Sequence, residues 1–240
     1  MSSYEEIFNE RGKSYHMAME KYPNARDQEF KATVDHLDIK NGMTLLDIPA
    51  GGGYLSRFLT NINYLAYDFS GEFEDGHHDI RKCKESKIDL KTNSVDWVVS
   101  LAALHHITER SSFYLEMNRV LKNKGQMIIA DVNEGTAIAD FLNGFVDEWN
   151  SMGHRGKFIC DNDQDEIINS GFQVEKKKEE YLWTFEDLDS AKDFFRLLFR
   201  LDLQPPDDLL EKAVIDLGVV EKEGLLGIKW GLSYLLCSKS

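Results

Sequence analysis

The stretch LLDIPAGGGYL, residues 45–55, constrains the fold of this chain more than any other. It has the pattern of an apolar strand that ends at Asp47, a turn with three glycines, and the first residues of a helix. Residues 51–53 have no Cβ, so their backbone can adopt positive φ and approach a ligand closely. A plain tight turn would leave the same pattern. The stretch therefore predicts a strand–turn–helix unit, in which the turn either binds a ligand or only joins the strand to the helix.

Strand and helix patterns alternate along the next part of the chain. Strands separated by helices predict parallel βαβ units, in which ligands bind beyond the carboxyl ends of the strands. Acidic or other polar residues do follow the strand patterns, among them Asp47, Asp68 and Asp131. The predicted strands are 43–48, 64–67, 96–101 and 126–132, and the predicted helices are 54–60 and 111–122, the second of which ends at Gly125.

The last quarter has a different pattern, with two strands separated by apolar helices. This predicts an antiparallel pair of strands at the sheet edge that carries a helical cap. With 240 residues, the chain is expected to form a single domain. Its predicted parts are an N-terminal helical lid (1–40), a cofactor-binding core (41–180) and a helical cap with the terminal strand (181–240). The late strands are predicted at 172–178 and 227–237, and the helices at 165–170, 190–203 and 207–217.

Composition limits the partners of the protein. There are 42 acidic and 28 basic side chains, which give a net charge of −14. Such a surface repels polyanions, so neither nucleic acid nor a membrane is expected as a partner. Three scattered cysteines, Cys83, Cys160 and Cys237, without metal-ligand spacing, predict free thiols in a cytoplasmic protein without a metal.

Four stretches in order resemble the motif series of class I S-adenosylmethionine-dependent methyltransferases. They are LLDIPAGGGYL, YDFS (67–70), DLKTNSVDWVVSLAALHHI (89–107) and LKNKGQMIIADV (121–132). The resemblance implies an α/β fold of the Rossmann-like type: a seven-stranded, mostly parallel sheet with helices on both faces and an antiparallel last strand. It implies methyl transfer from S-adenosylmethionine to a small-molecule acceptor, with S-adenosylhomocysteine as product.

Two other functions fit parts of the pattern. A dinucleotide-dependent oxidoreductase would use a GxGxxG turn, but Ser56 stands where the third glycine is needed. A cofactor-binding protein without transferase activity is the other alternative. It arises because Pro49 occupies the usual first glycine position, and Lys84 stands where the family often has an acid near the adenine.

The resemblance assigns cofactor contacts residue by residue. Asp47 and the turn from Pro49 to Gly53 would line the methionine part, and Asp68 would bind the ribose hydroxyls. Pro49 has no N–H, so main-chain donors of the turn are expected only after it. Arg26, in the lid, could pair with the cofactor carboxylate. The predicted cofactor-binding residues are Asp47, Pro49, Ala50, Gly51, Gly52, Gly53, Asp68, Phe69, Asp89, Leu90, Ser100, Leu101 and Arg26.

His106 is the candidate general base, because imidazole titrates near neutral pH and the family places this segment near the transferred methyl group. A histidine at a helix start that bonds only to backbone is an equally good interpretation. The candidates for the acceptor pocket are Tyr15, His16, His105, Phe145 and Phe195, although apolar side chains at such positions often only pack the core. An apolar acceptor would suit this set. The sequence leaves monomer and homodimer open.

Overall fold

A computed structural model describes residues 4–73 and 79–240. Its strands form one sheet in the order β3-β2-β1-β4-β5-β8-β6, in which β8 is antiparallel to both of its neighbours. The seven-stranded, mostly parallel sheet is therefore confirmed, and a further short strand, β7, pairs with the first part of β8. The strands are β1 (Thr44–Asp47), β2 (Asn63–Asp68), β3 (Ile80–Lys82), β4 (Val95–Leu101), β5 (Leu121–Asp131), β6 (Phe172–Phe185), β7 (Val219–Lys222) and β8 (Leu225–Lys239).

Both faces of the sheet are buried. Leu45 and Val99 belong to one hydrophobic cluster, whereas Leu46 and Val98 belong to another. Successive side chains of a strand point to opposite faces, so a strand with apolar residues at successive positions needs cover on both sides.

The helices are α1 (Tyr4–Lys21), α2 (Asp27–Asp35), α3 (Arg110–Val120), α4 (Ala137–Asp140), a π-helix (Phe141–Val146), α5 (Asp147–Trp149), α6 (Asp163–Asn169), α7 (Leu188–Leu198) and α8 (Asp207–Asp216), with 3₁₀ turns at Tyr54–Phe58, Gly71–Phe73 and Leu104–His106.

Two local predictions are wrong. The helix predicted at 54–60 is only a 3₁₀ turn, Tyr54–Phe58, because Gly53 enters it with φ of 71° and Leu59 is already extended toward β2. Gly125 does not end α3. The chain becomes extended at Leu121, directly after the helix, and Gly125 lies within β5.

Helix α1 bridges the carboxyl ends of the strands and the helical cap. The hydroxyl of Tyr4, at its beginning, donates to Asp68 at the end of β2. Arg11 and Ser14 donate to the carbonyls of Leu198 and Leu197 at the end of α7, at 3.1 and 2.6 Å. The helix therefore covers the region where the sequence predicts the cofactor site.

No helix in residues 4–73 and 79–240 combines the length and the apolar composition that crossing a membrane requires.

Candidate cofactor and acceptor site

Asp47 ends β1 and is almost completely buried. Its Oδ2 accepts a hydrogen bond from the Tyr64 hydroxyl at 2.5 Å. Burial raises the pKa of Asp47 to about 7, and the nearby Asp68 adds to the shift although the Tyr64 hydrogen bond opposes it. A buried carboxyl group with a raised pKa is stabilised in its charged form by a cationic partner.

Asp68 ends β2 and is already engaged on both oxygens. Its Oδ1 accepts from the Ser70 N–H at 2.8 Å, and its Oδ2 accepts from the Gly51 N–H at 2.8 Å and from the Tyr4 hydroxyl at 3.1 Å. Burial still raises the pKa of this carboxyl to about 7 against these hydrogen bonds. Tyr4 of α1 therefore contacts the acid that the sequence assigns to the ribose.

Most amides of the glycine turn are used within the protein. Ala50 N–H donates to the Tyr67 carbonyl, Gly51 N–H to Asp68, and Gly53 N–H to the Ala50 carbonyl. Gly52 N–H has no hydrogen bond to any residue within 4–73 and 79–240. The turn can therefore offer this amide to a ligand, and it follows Pro49 as expected.

A cavity lies between the turn and α1. We call it the cofactor cavity. Its walls include Asp47, Gly51, Tyr54 and Leu101 from the core and Tyr4, Phe8, Tyr15 and Arg26 from the N-terminal region. Its volume is about 60 Å³, whereas ligand pockets typically measure roughly 300–1,000 Å³. Side chains of α1 therefore fill the space that a nucleoside cofactor needs.

The chemistry of the residues that line the cofactor cavity, or lie next to its lining, nevertheless fits S-adenosylmethionine. Asp47 suits an ammonium group, Asp68 suits a pair of hydroxyls, and Gly52 N–H suits a carboxylate. The Ser100 hydroxyl, at the end of β4, is buried without a hydrogen-bond partner in the described part of the chain. Such an unpaired polar atom is costly unless a ligand satisfies it.

A second cavity of about 60 Å³ adjoins the first. It is lined by His105, His106 and His154, by Arg11, and by aromatic residues that include Trp183 and Trp230. We call it the histidine chamber. Phe8, Tyr15, Arg26 and Ala102 line both cavities, so only shared side chains separate them.

Two histidines of the chamber are held in a defined orientation. His105 Nδ1 lies 2.7 Å from Asp131 Oδ1, and this pairing lowers the pKa of Asp131 against the effect of burial. His154 Nδ1 lies 3.1 Å from Asn143 Oδ1, whose amide is fixed by two hydrogen bonds to the backbone of Gly156. Each Nδ1 is therefore engaged within the protein, which leaves Nε2 of each ring for a ligand.

His106 differs because neither ring nitrogen has a hydrogen bond to a described residue. Burial, with the adjacent His105, His154 and Arg11, lowers its pKa well below the usual range, and the pKa of His154 is lowered by burial, His105 and Arg11. Both rings are therefore neutral at pH 7.

Arg26 lines both cavities but already has partners. It forms a buried ion pair with Glu29 and donates to the Tyr15 hydroxyl at 2.8 Å. Trp183 Nε1 donates to the same Glu29 at 2.7 Å. The guanidinium is therefore held at the boundary of the two cavities.

Some predicted residues lie away from both cavities. Asp89 is exposed, His16 contacts Tyr54 and Glu20, and the rest pack in the hydrophobic clusters or behind the turn. The predicted residues that line neither cavity are Gly52, Gly53, Asp68, Phe69, Asp89, Leu90, Ser100, His16, Phe145 and Phe195.

Several residues of the site carried no local signal in the sequence. Tyr4, Arg11 and His154 are far from the motif series, and only the fold brings them to the strand ends. Asp131 did have a signal, because it follows a predicted strand. Trp183 lies on β6 and Trp230 on β8, where their rings stack with centroids 3.9 Å apart.

Residues 46–129 match a family model described as a methyltransferase domain. This chain contains a methyltransferase domain. The matched segment runs from β1 into β5 and includes the acids, the glycine turn and the two adjacent histidines of the site. The resemblance to the class I enzymes is thus confirmed, and the cofactor is S-adenosylmethionine. No curated protein matches the methyltransferase in sequence.

Solved structures share the fold at low identity. A Thermotoga maritima protein, described as an S-adenosylmethionine-dependent methyltransferase and possible histamine N-methyltransferase, has a TM-score of 0.64 at 16% identity and covers 98% of this chain and 99% of its own. Phosphoethanolamine N-methyltransferase 2 of Haemonchus contortus, in complex with phosphomonomethylethanolamine and S-adenosylhomocysteine, has a TM-score of 0.61 at 14% identity, covering 100% of this chain and 60% of its own. The cyclase SpnF has a TM-score of 0.56 at 16% identity, covering 89% of this chain and 80% of its own. The last of these shows that the fold alone does not define the reaction.

Proposed function

We propose that the methyltransferase acts on a small molecule that binds in the histidine chamber. The observation that carries the proposal is the position of the chamber, which is buried beneath α1 and shares four lining residues with the cofactor cavity. A buried space of this kind suits a small molecule better than a folded macromolecule. The Haemonchus contortus enzyme, which was solved with a small acceptor, supports the same class.

The residues of the cofactor cavity would hold S-adenosylmethionine by charge and hydrogen bonding. Asp47 would bind the ammonium group, Gly52 N–H the carboxylate, and Asp68 the ribose after Tyr4 has moved away. When bound, the cofactor supplies a sulfonium methyl group to a nucleophile in line with it. Alignment of the acceptor and exclusion of water by α1 then contribute much of the rate.

We propose His106 as the general base for an acceptor that must lose a proton. Its ring is neutral at pH 7, and its nitrogens are not engaged by the described residues, so it can accept a proton from a bound acceptor. His105, whose ring is held by Asp131, would instead orient the acceptor.

A His106→Gln variant tests the base. General-base catalysis typically contributes 10²–10⁴-fold, so kcat should fall by about that factor while the affinity for S-adenosylhomocysteine stays unchanged. His36→Gln is the control, because His36 contacts Glu179 and Tyr234 outside both cavities. An unchanged kcat would show that the acceptor reacts without losing a proton to His106.

Isotope transfer tests the function itself. The purified protein is incubated with methyl-labelled S-adenosylmethionine and a small-molecule extract, and products are separated by mass spectrometry. We expect label in a compound of low mass. Binding of S-adenosylmethionine without labelled product in any fraction would favour a cofactor-binding protein, and label only in macromolecules would exclude a small acceptor.

Three further expectations belong to the proposal. A cytoplasmic location is proposed, and the three free cysteines support it. The absence of a nucleic-acid partner follows from the net charge of −14. Size-exclusion chromatography with light scattering would decide between monomer and homodimer.

A further inference from the structure

Arg11, on α1, is a buried cation without a counterion. Its Nη2 donates to the Leu198 carbonyl at 3.1 Å, and its guanidinium lies over the rings of Phe8 and Phe199 at 5.3 and 5.9 Å. Its Nε is buried without a hydrogen-bond partner. No carboxylate in residues 4–73 and 79–240 forms an ion pair with it.

The other buried cations of the described chain are all paired. Arg26 forms an ion pair with Glu29, Arg110 lies 2.8 Å from Asp163, and Lys192 lies 2.6 Å from Asp207. An unpaired buried charge costs several kcal/mol, which explains why such pairing is general. In a protein with a large excess of acids, the exception at Arg11 therefore points to a ligand.

The surroundings of Arg11 indicate which ligand would fit. Burial lowers the pKa of Arg11 only to about 10, so it stays charged at pH 7. It lines the histidine chamber, where the carboxylate of Asp131 is already engaged by His105. His154, whose ring is neutral, offers an acceptor atom at Nε2, so the chamber presents one fixed positive charge and at least one hydrogen-bond acceptor.

A metal ion would fit this environment less well. One ring nitrogen of each of His105, His106 and His154 lies within 4.8 Å of the others, a spacing from which a metal site could be assembled. A divalent cation would, however, add two charges beside a guanidinium that already lacks a counterion. The charge balance favours an anion.

We propose that the methyl acceptor carries a carboxylate or phosphate group, and that Arg11 binds this group in the histidine chamber. This inference rests on the proposed methyl transfer to a small molecule in that chamber. Guanidinium is suited to both oxyanions because its planar donors match their oxygen atoms. The neutral ring of His154 would then receive a hydrogen bond from an amine or hydroxyl elsewhere on the same molecule, and the tryptophans would cover its apolar part.

Anion binding can be tested without activity. The imidazole resonances of the ¹⁵N-labelled protein are followed across pH by NMR in the presence of S-adenosylhomocysteine, with and without inorganic phosphate or acetate. An anion at Arg11 stabilises the protonated ring of His106, so the pKa of His106 should rise by about one unit. The resonances of His16 and His36 serve as internal controls, because neither ring lines the chamber.

Two variants separate the charge of Arg11 from its packing. Arg11→Gln removes the charge and keeps an amide donor for Leu198, and it should abolish the shift. Arg11→Lys keeps the charge and should retain part of it. Arg81→Met is the control, because Arg81 is exposed, pairs with Asp79 and does not line the chamber. No shift with either anion, or an equal shift in Arg11→Gln, would overturn the proposal.

Product analysis then distinguishes the two oxyanions. The labelled product should be retained on an anion exchanger, and prior phosphatase treatment of the extract should remove it only if the acceptor is a phosphate ester. Arg11→Gln should lower kcat/KM on the order of 100-fold. A labelled product without an anionic group would refute the assignment. A positive NMR result without any labelled product would instead count against the proposed methyl transfer while leaving the anion site intact.

Discussion

Asp47 and Asp68 lie at the ends of adjacent strands and are both buried with a raised pKa. Neither has a cationic partner among the described residues. Such a pair lowers the stability of the folded protein at neutral pH, and functional sites are where proteins tolerate this cost. The two acids proposed to bind the cofactor therefore also lower the stability of the folded protein.

Asp47→Asn should reveal this connection. The pKa of Asp47 is about 7 in the folded protein, against 3.8 for the free side chain. The folded state therefore binds this proton more tightly than the unfolded state, and the free energy of unfolding falls as pH rises from about 4 through 7. Three pKa units correspond to about 4 kcal/mol at most. We expect the Asp47→Asn substitution to make the protein more stable at pH 8 and to change little at pH 4.

Urea unfolding of both proteins at the two pH values measures the effect, with Asp38→Asn at an exposed site as the control. The same variant should bind S-adenosylhomocysteine more weakly, because the ammonium group loses its carboxylate. A larger stabilisation by Asp47→Asn at pH 4 than at pH 8 would contradict the assignment of the raised pKa.

Tyr4→Phe should have the opposite effect on binding. The ring stays in place, but the hydroxyl no longer competes for Asp68. A hydrogen bond contributes about 1 kcal/mol net, so the affinity for S-adenosylhomocysteine should increase roughly fivefold in calorimetry. Weaker binding would indicate that the Tyr4 hydroxyl contacts the cofactor directly.

The sequence predicted those site residues that immediately follow strands. Asp47, Asp68 and the glycine turn were identified because parallel strands place their carboxyl ends together. Tyr4 and Arg11 could not be found in this way. They precede the first strand by more than thirty residues, and only the docking of α1 against α7 brings them to the site.

The sequence pattern predicted whether a segment is a helix or a strand better than it predicted the length of that segment. Residues 172–178 were recognised as a strand, but β6 continues to Phe185 because residues 179–185 still pair with β8. The short strand β7 was missed, since it has only four residues and little buried surface. The apolar helix at 190–203 was recognised as the cap, and α7 ends earlier than predicted, at Leu198.

Phe194 shows how strongly α7 is attached. Its side chain is fully buried against Trp183, Phe185 and Tyr22, with ring centroids 5.3–5.9 Å apart. Phe194→Ala should lower the free energy of unfolding by about 3–5 kcal/mol, because it leaves a cavity in the core. Leu209→Ala on the exposed side of α8 should change it by less than about 0.5 kcal/mol. Similar effects of the two changes in urea unfolding would show that α7 is only loosely packed.

For the molecule as a whole, the position of α1 determines access to the site. The cofactor cavity is too small to admit a ligand until side chains of α1 move. Binding therefore requires an opening step that costs at least the contact between Tyr4 and Asp68. The population of the open form reduces the apparent affinity by the same factor.

Stopped-flow measurement of tryptophan fluorescence should detect this opening step. When opening precedes binding, the observed rate should level off at high S-adenosylhomocysteine concentration. Tyr4→Phe should raise the plateau, whereas Tyr181→Phe, which leaves α1 unchanged, should not. A rate that rises linearly throughout, with a slope of roughly 10⁵–10⁷ M⁻¹s⁻¹, would mean that the site is open in solution.

Strand β6 ends the sheet, and in the described part of the chain no strand pairs with its outer edge. It is 14 residues long, and unpaired edges of this length invite other molecules to add strands and aggregate. Six consecutive charged residues, 175–180, lie along it as three lysines flanked by glutamates. A second sheet that approached this edge would have to desolvate them. These charges thus protect the folded protein against edge-to-edge association at high concentration.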